Sequence, residues 1–267
     1  MDVFLEVVKM NIKILFQYKR TFFLSMAIFP LAQLVDMALF TSIYRYNGTD
    51  SIKGYSLSQM VWYFTTTYIV WNFVWNNTVG RLSRRILNGT LAMDLLRPMS
   101  LFRLELADMT ARRVSGTLLE LIPTLVLESI IFPPVFMTGG TLLRFFIIGG
   151  TAGMIYFLMN FLMGLLAFIV KNTSSLDDLK YLVILFLGGQ MIPMEFFPDW
   201  VNRIADFTPF KYVMYWPIQF FLNREQTQDP MFLLRILLIQ LAWCAGLYVL
   251  CKLCWRASVK KFCSVGG

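Results

Sequence analysis

The chain has 267 residues, of which 57% are hydrophobic, 16% aromatic and 15% charged. A soluble domain carries about 25% charged residues, so this composition excludes an ordinary soluble enzyme and a disordered chain. The formal net charge is +8 and histidine is absent, which excludes His-dependent nucleophilic catalysis and His-ligated zinc. The apolar residues form long blocks, and blocks of about 20 residues span a bilayer. The sequence therefore predicts an all-α integral membrane protein.

The first predicted element is an amphipathic helix over residues 1–20. Its polar side chains recur every three or four residues: Asp2, Glu6, Lys9, Lys13, Gln17 and Arg20. This spacing traces one stripe of a helix, and a helix of this kind lies flat in the membrane interface. A plain cytoplasmic extension of the first span is the alternative.

Six hydrophobic spans follow. They cover Thr21–Ile43, about Gln59–Asn76, Val114–Phe136, Thr141–Val170, a block that begins near Leu179, and Met231 to about Leu253. Most of the 24 Lys and Arg lie on one side when both termini are placed in the cytoplasm, as the positive-inside rule requires. We therefore predict a multi-pass protein of the cell (plasma or inner) membrane with both termini cytoplasmic. The net charge then reflects topology and lipid headgroups, so no nucleic-acid partner is expected.

A long basic segment, residues 81–113, separates the second and third spans. Apolar residues at helical spacing alternate with arginines from Arg81 to Leu91, which predicts an amphipathic helix. Pro98 disfavours an α conformation at Arg97, and Leu101–Arg113 is predicted to form a second helix. A solvated loop would not need these apolar residues, so we favour a cytoplasmic docking role over an ordinary basic loop.

The fifth hydrophobic block is too short for a simple span. Leu179–Ile192 holds 14 residues, or roughly 21 Å at about 1.5 Å per residue, against a hydrocarbon core of about 30 Å. The aromatic-rich residues 193–221 that follow contain four prolines: Pro193, Pro198, Pro209 and Pro217. We predict an outer re-entrant segment that enters, breaks and continues as two short helices. A wet extracellular loop is the alternative, and the density of aromatic residues argues against it.

Three carboxylates fall within the predicted spans: Asp36, Glu120 and Glu128. Each would cost about 2.5–3.5 kcal/mol at the bilayer centre, so each should face protein or water. They could form a polar patch on a substrate path, pair with a basic group, or make hydrogen-bonded contacts between helices, and Glu120 could simply lie near the interface. A stand-alone secondary carrier or channel that uses Asp36 and Glu128 also remains open.

Three features together resemble the ABC-2 type permease subunits, in particular the short six-span permeases encoded in pairs beside an ATPase gene. They are the amphipathic start with the first span, the stretch from Ile86 to Pro98, and the stretch from Ile192 to Phe210. The resemblance implies one permease domain over residues 1–267 and a dimer with an identical or sister subunit. It further implies a cytoplasmic ABC ATPase that binds ATP and Mg²⁺, export as the direction of transport, and contact with membrane lipids. This chain has no G-x-x-x-x-G-K-[ST] phosphate loop, and no cofactor is expected on it.

The resemblance also implies two sites. The coupling segment, residues 81–113, would contact the ATPase through Arg84, Arg85, Gly89, Asp94, Leu96, Arg97 and Pro98. The outer gate or lateral lid would comprise Pro193, Glu195, Pro198, Asp199, Trp200, Pro209 and Phe210. No catalytic residue and no metal site is expected, since Cys251-x-x-Cys254 offers only two of the roughly four ligands that a structural zinc needs.

Overall fold

The computed structural model describes residues 19–170 and 173–259, together with Glu6, Lys9, Met10 and Lys13. The predicted interfacial helix over residues 1–20 thus lies almost entirely outside the described residues. Within the described part the chain is nearly all helical, apart from one small hairpin. This agrees with the all-α prediction.

The α-helices are, in chain order, α1 Lys19–Asn47, α2 Leu57–Val74, α3 Thr78–Leu87, α4 Leu91–Leu95, α5 Leu101–Gly116, α6 Ile122–Ile131, α7 Gly139–Leu165, α8 Ser174–Leu187, α9 Asp199–Asp206, α10 Pro209–Val213, α11 Tyr215–Phe221, α12 Glu225–Gln228 and α13 Pro230–Val259. A π-helical turn covers Thr117–Leu121, and 3₁₀ turns cover Leu166–Phe168 and Met194–Phe196. Strands β1, Ser51–Ile52, and β2, Tyr55–Ser56, pair antiparallel with Ser51 opposite Ser56.

Helix α7 is the central helix of the fold. It packs against α13, α3, α11 and α2, and its side chains Phe145, Ile148 and Ile155 are fully buried. Gly164 permits a close approach, because a Cβ there would lie 2.9 Å from Cδ2 of Leu82 on α3. The apolar face of α3 is therefore held directly against α7.

Two helices among the described residues are long and apolar enough to cross a bilayer: Gly139–Phe168 and Pro230–Val259. They lie where the fourth and sixth spans are predicted. The apolar stretch of the first is 56% buried inside the protein, against 17% for the second. Helix α13 consequently presents most of its apolar surface away from the rest of the chain.

Helices α5 and α6 form one continuous helical rod that is interrupted only by the π-helical turn. Pro123 follows this turn in the first turn of α6. A proline has no N–H and clashes with the carbonyl four residues earlier in a regular α-helix, and a local π-helical turn is one way to relieve this. The rod ends at Ile131, earlier than the predicted Phe136, since Pro133 and Pro134 cannot continue it.

Helix α8 begins at Ser174 and ends at Leu187, several residues before the predicted boundaries at both ends. Gly188 and Gly189 end it, and Gly189 adopts the left-handed conformation with φ of 68°. Three short α-helices, α9 to α11, then replace the two short helices that were predicted. Pro209 begins α10, and Pro217 lies within the first turn of α11, where a proline costs no hydrogen bond.

The β1–β2 hairpin has no counterpart in the prediction. Its turn places Lys53 and Gly54 at φ of 50° and 79°, the combination that a two-residue type I′ turn requires. The hairpin directs Tyr55 into the interior, where the side chain is fully buried. The hydroxyl of Tyr44 on α1 donates a hydrogen bond to the Tyr55 carbonyl at 2.6 Å.

Candidate functional site

The coupling segment, residues 81–113, folds as a helix, a tight turn, a short helix, a break and a longer helix. Helix α3 buries Leu82 and Ile86 on one face. Gly89 ends this helix with φ of 73°, a conformation that side chains with a Cβ adopt only at a cost. Leu91 on α4 is fully buried. Residues 96–100 then form the break between α4 and α5 where Arg97-Pro98 predicts one.

An ion-pair network fixes α3 and α4 against α5. The side chain of Glu105 is fully buried, and its Oε2 lies 2.9 Å from a terminal nitrogen of Arg81. The Arg85 guanidinium lies 3.1 Å from Glu105 Oε1 and 3.4 Å from an oxygen of Asp94. Arg97 lies 3.2 Å from the other oxygen of Asp94. A buried carboxylate is tolerated only with such partners.

Two of the predicted contact residues thus have an internal role. Arg85 and Asp94 pair with neighbours within the segment, so they hold its shape. Their contact with the ATPase stays a prediction. The residues Arg81 and Glu105 were missed because they lie 24 positions apart. No local spacing rule relates two such positions.

Much of the exposed surface of the segment is apolar or basic, beside the polar residues Asn88, Thr90 and Ser100. We call its exposed apolar and basic residues between Arg84 and Pro98 the coupling face: Arg84, Leu87, Met93, Leu95, Leu96, Arg97 and Pro98. Leu96 is 86% exposed and Met93 is 71% exposed. The prediction omitted Leu87, Met93 and Leu95. Leu87 and Leu95 fall within the stretch whose apolar residues argue against a solvated loop, and that pattern could have identified them.

The predicted outer segment contains a second polar centre. Oε1 of Glu195 accepts hydrogen bonds from the hydroxyl of Tyr55 at 2.9 Å and from the hydroxyl of Tyr215 at 2.7 Å. The side-chain amide of Gln219 donates to the Tyr55 oxygen at 2.7 Å. We call Glu195, Tyr55, Tyr215 and Gln219 the Glu195 cluster. It ties the Met194–Phe196 turn to both α11 and the hairpin.

The electrostatics of the Glu195 cluster keep its phenols protonated. Burial, followed by the negative charge of Glu195, raises the pKa of Tyr55 above its ordinary value. The hydroxyl therefore remains a hydrogen-bond donor to the carboxylate. The guanidinium of Arg224 lies 4.3 Å from the Tyr55 ring centroid, a cation–π arrangement that adds to the packing of the hairpin.

The structure does not bring the other predicted gate residues together around Glu195. Asp199 and Trp200 lie exposed on the first turn of α9, which Pro198 precedes. Pro193 is buried, whereas Pro209 and Phe210 at the start of α10 are half-buried. The members that sequence reasoning missed are Tyr55, Tyr215 and Gln219, and Tyr55 is 140 positions from Glu195.

The intramembrane carboxylates that were predicted lie on α1 and α6. Glu128 is 2% exposed, and its Oε2 has no hydrogen-bond partner among the described residues. Asp36 is half-buried, and its Oδ2 is likewise unpaired within the described part. Gln33 on the same helix is buried with both side-chain polar atoms unpaired there, and it was not predicted. The side chain of Glu120 lies outside the described residues.

A buried lysine forms a further polar centre that the prediction lacks. Lys180 on α8 is buried and contacts the side chains of Asn160 and Asp177. Its ammonium lies 4.7 Å from the ring centroid of Tyr156. Asn160 also donates to the carbonyl of Asn76 at 2.9 Å. This cluster joins α7, α8 and the α2–α3 connection.

Long apolar helices, a helix-break-helix segment with an exposed apolar and basic face, and broken short helices before the last long helix are typical of a helical membrane protein. The family model described as "ABC-2 family transporter protein" matches residues 31–266. The chain therefore belongs to the ABC-2 transporter family. No curated protein and no solved structure matches it.

Proposed function

We propose that this chain is the permease subunit of an ATP-driven exporter. It would form half of the translocation pathway with a second permease subunit, identical or sister. ATP and Mg²⁺ would be bound by a separate cytoplasmic ATPase. The observation that carries the proposal is the coupling face, since a large, exposed apolar and basic surface on a fixed scaffold is typical of a protein interface.

We propose six membrane spans. Helices α1, α2, α7, α8 and α13 and the α5–α6 rod would supply them. Alternating crossings from a cytoplasmic N-terminus would place residues 81–113 inside and residues 193–221 outside. The concentration of Arg and Lys around residues 81–113 supports this orientation.

Accessibility of single cysteines tests the orientation. Leu96 is 86% exposed and Val135, in the loop between α6 and α7, is 89% exposed. On a background without native cysteines, we expect a membrane-impermeant maleimide to label Leu96→Cys only from the cytoplasmic side and Val135→Cys only from the outside. Labelling of both positions from one side would contradict the six-span topology.

Variants at Leu96, Arg97 and Val135 test the docking role. We expect Leu96→Asp to reduce the amount of co-purified ATPase at least about tenfold, because an unpaired charge buried in an apolar interface costs several kcal/mol. Arg97→Glu should act in the same direction, because it reverses a charge on the coupling face. Val135→Asp is the matched control, since it places the same charge on an equally exposed residue, and it should retain the ATPase. Equal retention by all three variants would refute docking through the coupling face.

A stand-alone secondary carrier or channel is the second candidate. The unpaired buried oxygens of Asp36 and Glu128 favour it, because intramembrane carboxylates often mark ion or proton paths. Reconstitution of the purified chain alone separates the two functions. Transport driven by a proton gradient without any ATPase would support the carrier, and strict dependence on the ATPase and ATP would support the permease.

A further inference from the structure

A large cavity lies between the coupling segment and the C-terminal half of α13. Its volume is about 750 Å³, within the range of cavities that hold drug-sized ligands. Residues of α5, α7 and α13 line it, together with the break after α4. The cavity adjoins the coupling face and shares Leu95, Arg97 and Pro98 with it.

The interior wall of the cavity is aromatic. Phe102 lies at the centre, with its ring centroid 5.2 Å from that of Phe161 and 5.5 Å from that of Tyr248. Trp255 and the buried Cys251 complete this wall. Such a wall suits acyl chains and is costly to leave in contact with water.

The charged lining of the cavity is mainly basic. Arg97, Arg103 and Lys252 line it, against a single carboxylate, Asp94, which already pairs with Arg85 and Arg97. In the part of the chain that the structure describes, neither Arg103 nor Lys252 forms an ion pair. The Lys252 ammonium lies 4.7 Å from the Tyr248 ring centroid. The two exposed cations and the aromatic wall therefore match the chemistry of an anionic, amphipathic ligand.

We propose that this cavity binds an anionic phospholipid of the inner leaflet, with the phosphate between Arg103 and Lys252 and acyl carbon against Phe102 and Trp255. Basic pockets between membrane helices on the cytoplasmic side are suited to anionic lipid headgroups. The assignment rests on the proposed topology, which places the cavity at the level of that leaflet. A bound lipid would join α13 to the coupling segment and so connect the membrane to the coupling face.

Quenching of tryptophan fluorescence by brominated lipids tests the proposal on the purified full chain in detergent. We expect brominated phosphatidylglycerol to quench Trp255, and Trp255→Phe to remove that part of the quenching. In the double variant Arg103→Gln/Lys252→Gln the apparent affinity for brominated phosphatidylglycerol should fall at least about tenfold. Brominated phosphatidylcholine should bind more weakly and should not distinguish the variant from the parent chain.

Two further variants control for folding and for general charge. Arg103→Lys/Lys252→Arg keeps both charges and should retain the affinity. Arg45→Gln/Lys53→Gln removes two exposed basic residues elsewhere and should change nothing. Equal binding of the two lipids, unchanged affinity in Arg103→Gln/Lys252→Gln, or displacement of the lipid by millimolar inorganic phosphate would each overturn the proposal.

The experiment requires neither ATPase nor transport. Loss of the lipid proposal would therefore leave ATPase docking untouched, and failure of docking would leave the lipid measurement interpretable. Labelling of Leu96→Cys only from the outside would instead contradict the leaflet assignment, whatever lipid is bound.

Discussion

Glu105→Ala is expected to lower the free energy of unfolding by about 3–5 kcal/mol, the usual cost of removing one partner from a buried ion pair. The Glu105 side chain is fully buried, and the guanidinium groups of Arg81 and Arg85 lie about it at 2.9 and 3.1 Å. Without the carboxylate, the ion-pair partners left within the described residues would be Asp108 for Arg81, at 2.9 Å, and Asp94 for Arg85, at 3.4 Å, so the positive charge at the junction of α3 and α5 would no longer be balanced. Thermal unfolding in detergent measures the effect, as a Tm lower by on the order of 10 °C.

Glu105→Gln and Glu6→Ala are the controls for this expectation. Glutamine keeps the shape and can still accept a hydrogen bond from Arg81, so its effect should be smaller than that of alanine. Glu6 pairs with Lys9 at 2.9 Å on the exposed surface, where an ion pair contributes little, and its loss should leave Tm unchanged. If Glu105→Ala left Tm equal to that of Glu6→Ala, the network would not hold the segment.

The coupling segment illustrates how far local rules reach. The apolar spacing between Leu82 and Leu91 and the break at Pro98 are properties of neighbouring residues, and both are found in the structure. Local rules do not predict whether a charged side chain of the segment points inward or outward. This orientation depends on Glu105, which only the packing of α5 against α3 brings within reach of Arg85.

Some helix boundaries follow from local sequence and others do not. The start and end of α7, Gly139 and Leu165, fall close to the predicted Thr141 and Val170 because a long apolar block has few alternatives. Helix α8 deviates more, since its end depends on the glycine pair at Gly188 and on the left-handed turn that follows. The sequence predicts that Gly188-Gly189 and Pro193 weaken or end this helix, and the structure ends it at the glycines.

The outer polar centre could not be found from sequence at all. Tyr55 reads as one residue of a short polar connection between two spans, and only the type I′ turn of the hairpin directs it inward. Glu195 carries no local sign of a partner, because its two phenol donors come from the hairpin and from α11. Predicting such a cluster requires the tertiary arrangement of three separate elements.

The two ends of the molecule should therefore be separable by mutation. The ion-pair network around Glu105 and the coupling face belong to residues 81–113, whereas the Glu195 cluster belongs to the hairpin, the Met194–Phe196 turn and α11. Helix α7 lies between them, packed against α3 and α11 alike. A substitution in the Glu105 network that leaves α7 in place should therefore preserve the contacts of the Glu195 cluster, and the reverse should also hold.

Glu195→Ala is expected to reduce transport by the assembled complex at least about tenfold while the ATPase still co-purifies. The change removes the acceptor of two phenol hydrogen bonds, at 2.9 Å from Tyr55 and 2.7 Å from Tyr215. Each buried donor left without a partner costs about 1–3 kcal/mol, which should loosen the Met194–Phe196 turn from the hairpin. Transport into inverted vesicles, measured beside the amount of bound ATPase, gives both readouts.

Three further variants show whether the hydrogen bonds of Glu195 are responsible. Glu195→Gln keeps an acceptor oxygen for the two phenols and should preserve much of the transport, whereas Tyr55→Phe removes one donor and should give an intermediate loss. Glu225→Gln is the matched control, because Glu225 is an exposed carboxylate of α12 in the same region of the chain. It should transport as the parent chain does. Normal transport by Glu195→Ala would show that the Glu195 cluster is not needed for the outer gate. Loss of the ATPase in that variant would mean that the outer change had spread through α7 to the coupling segment.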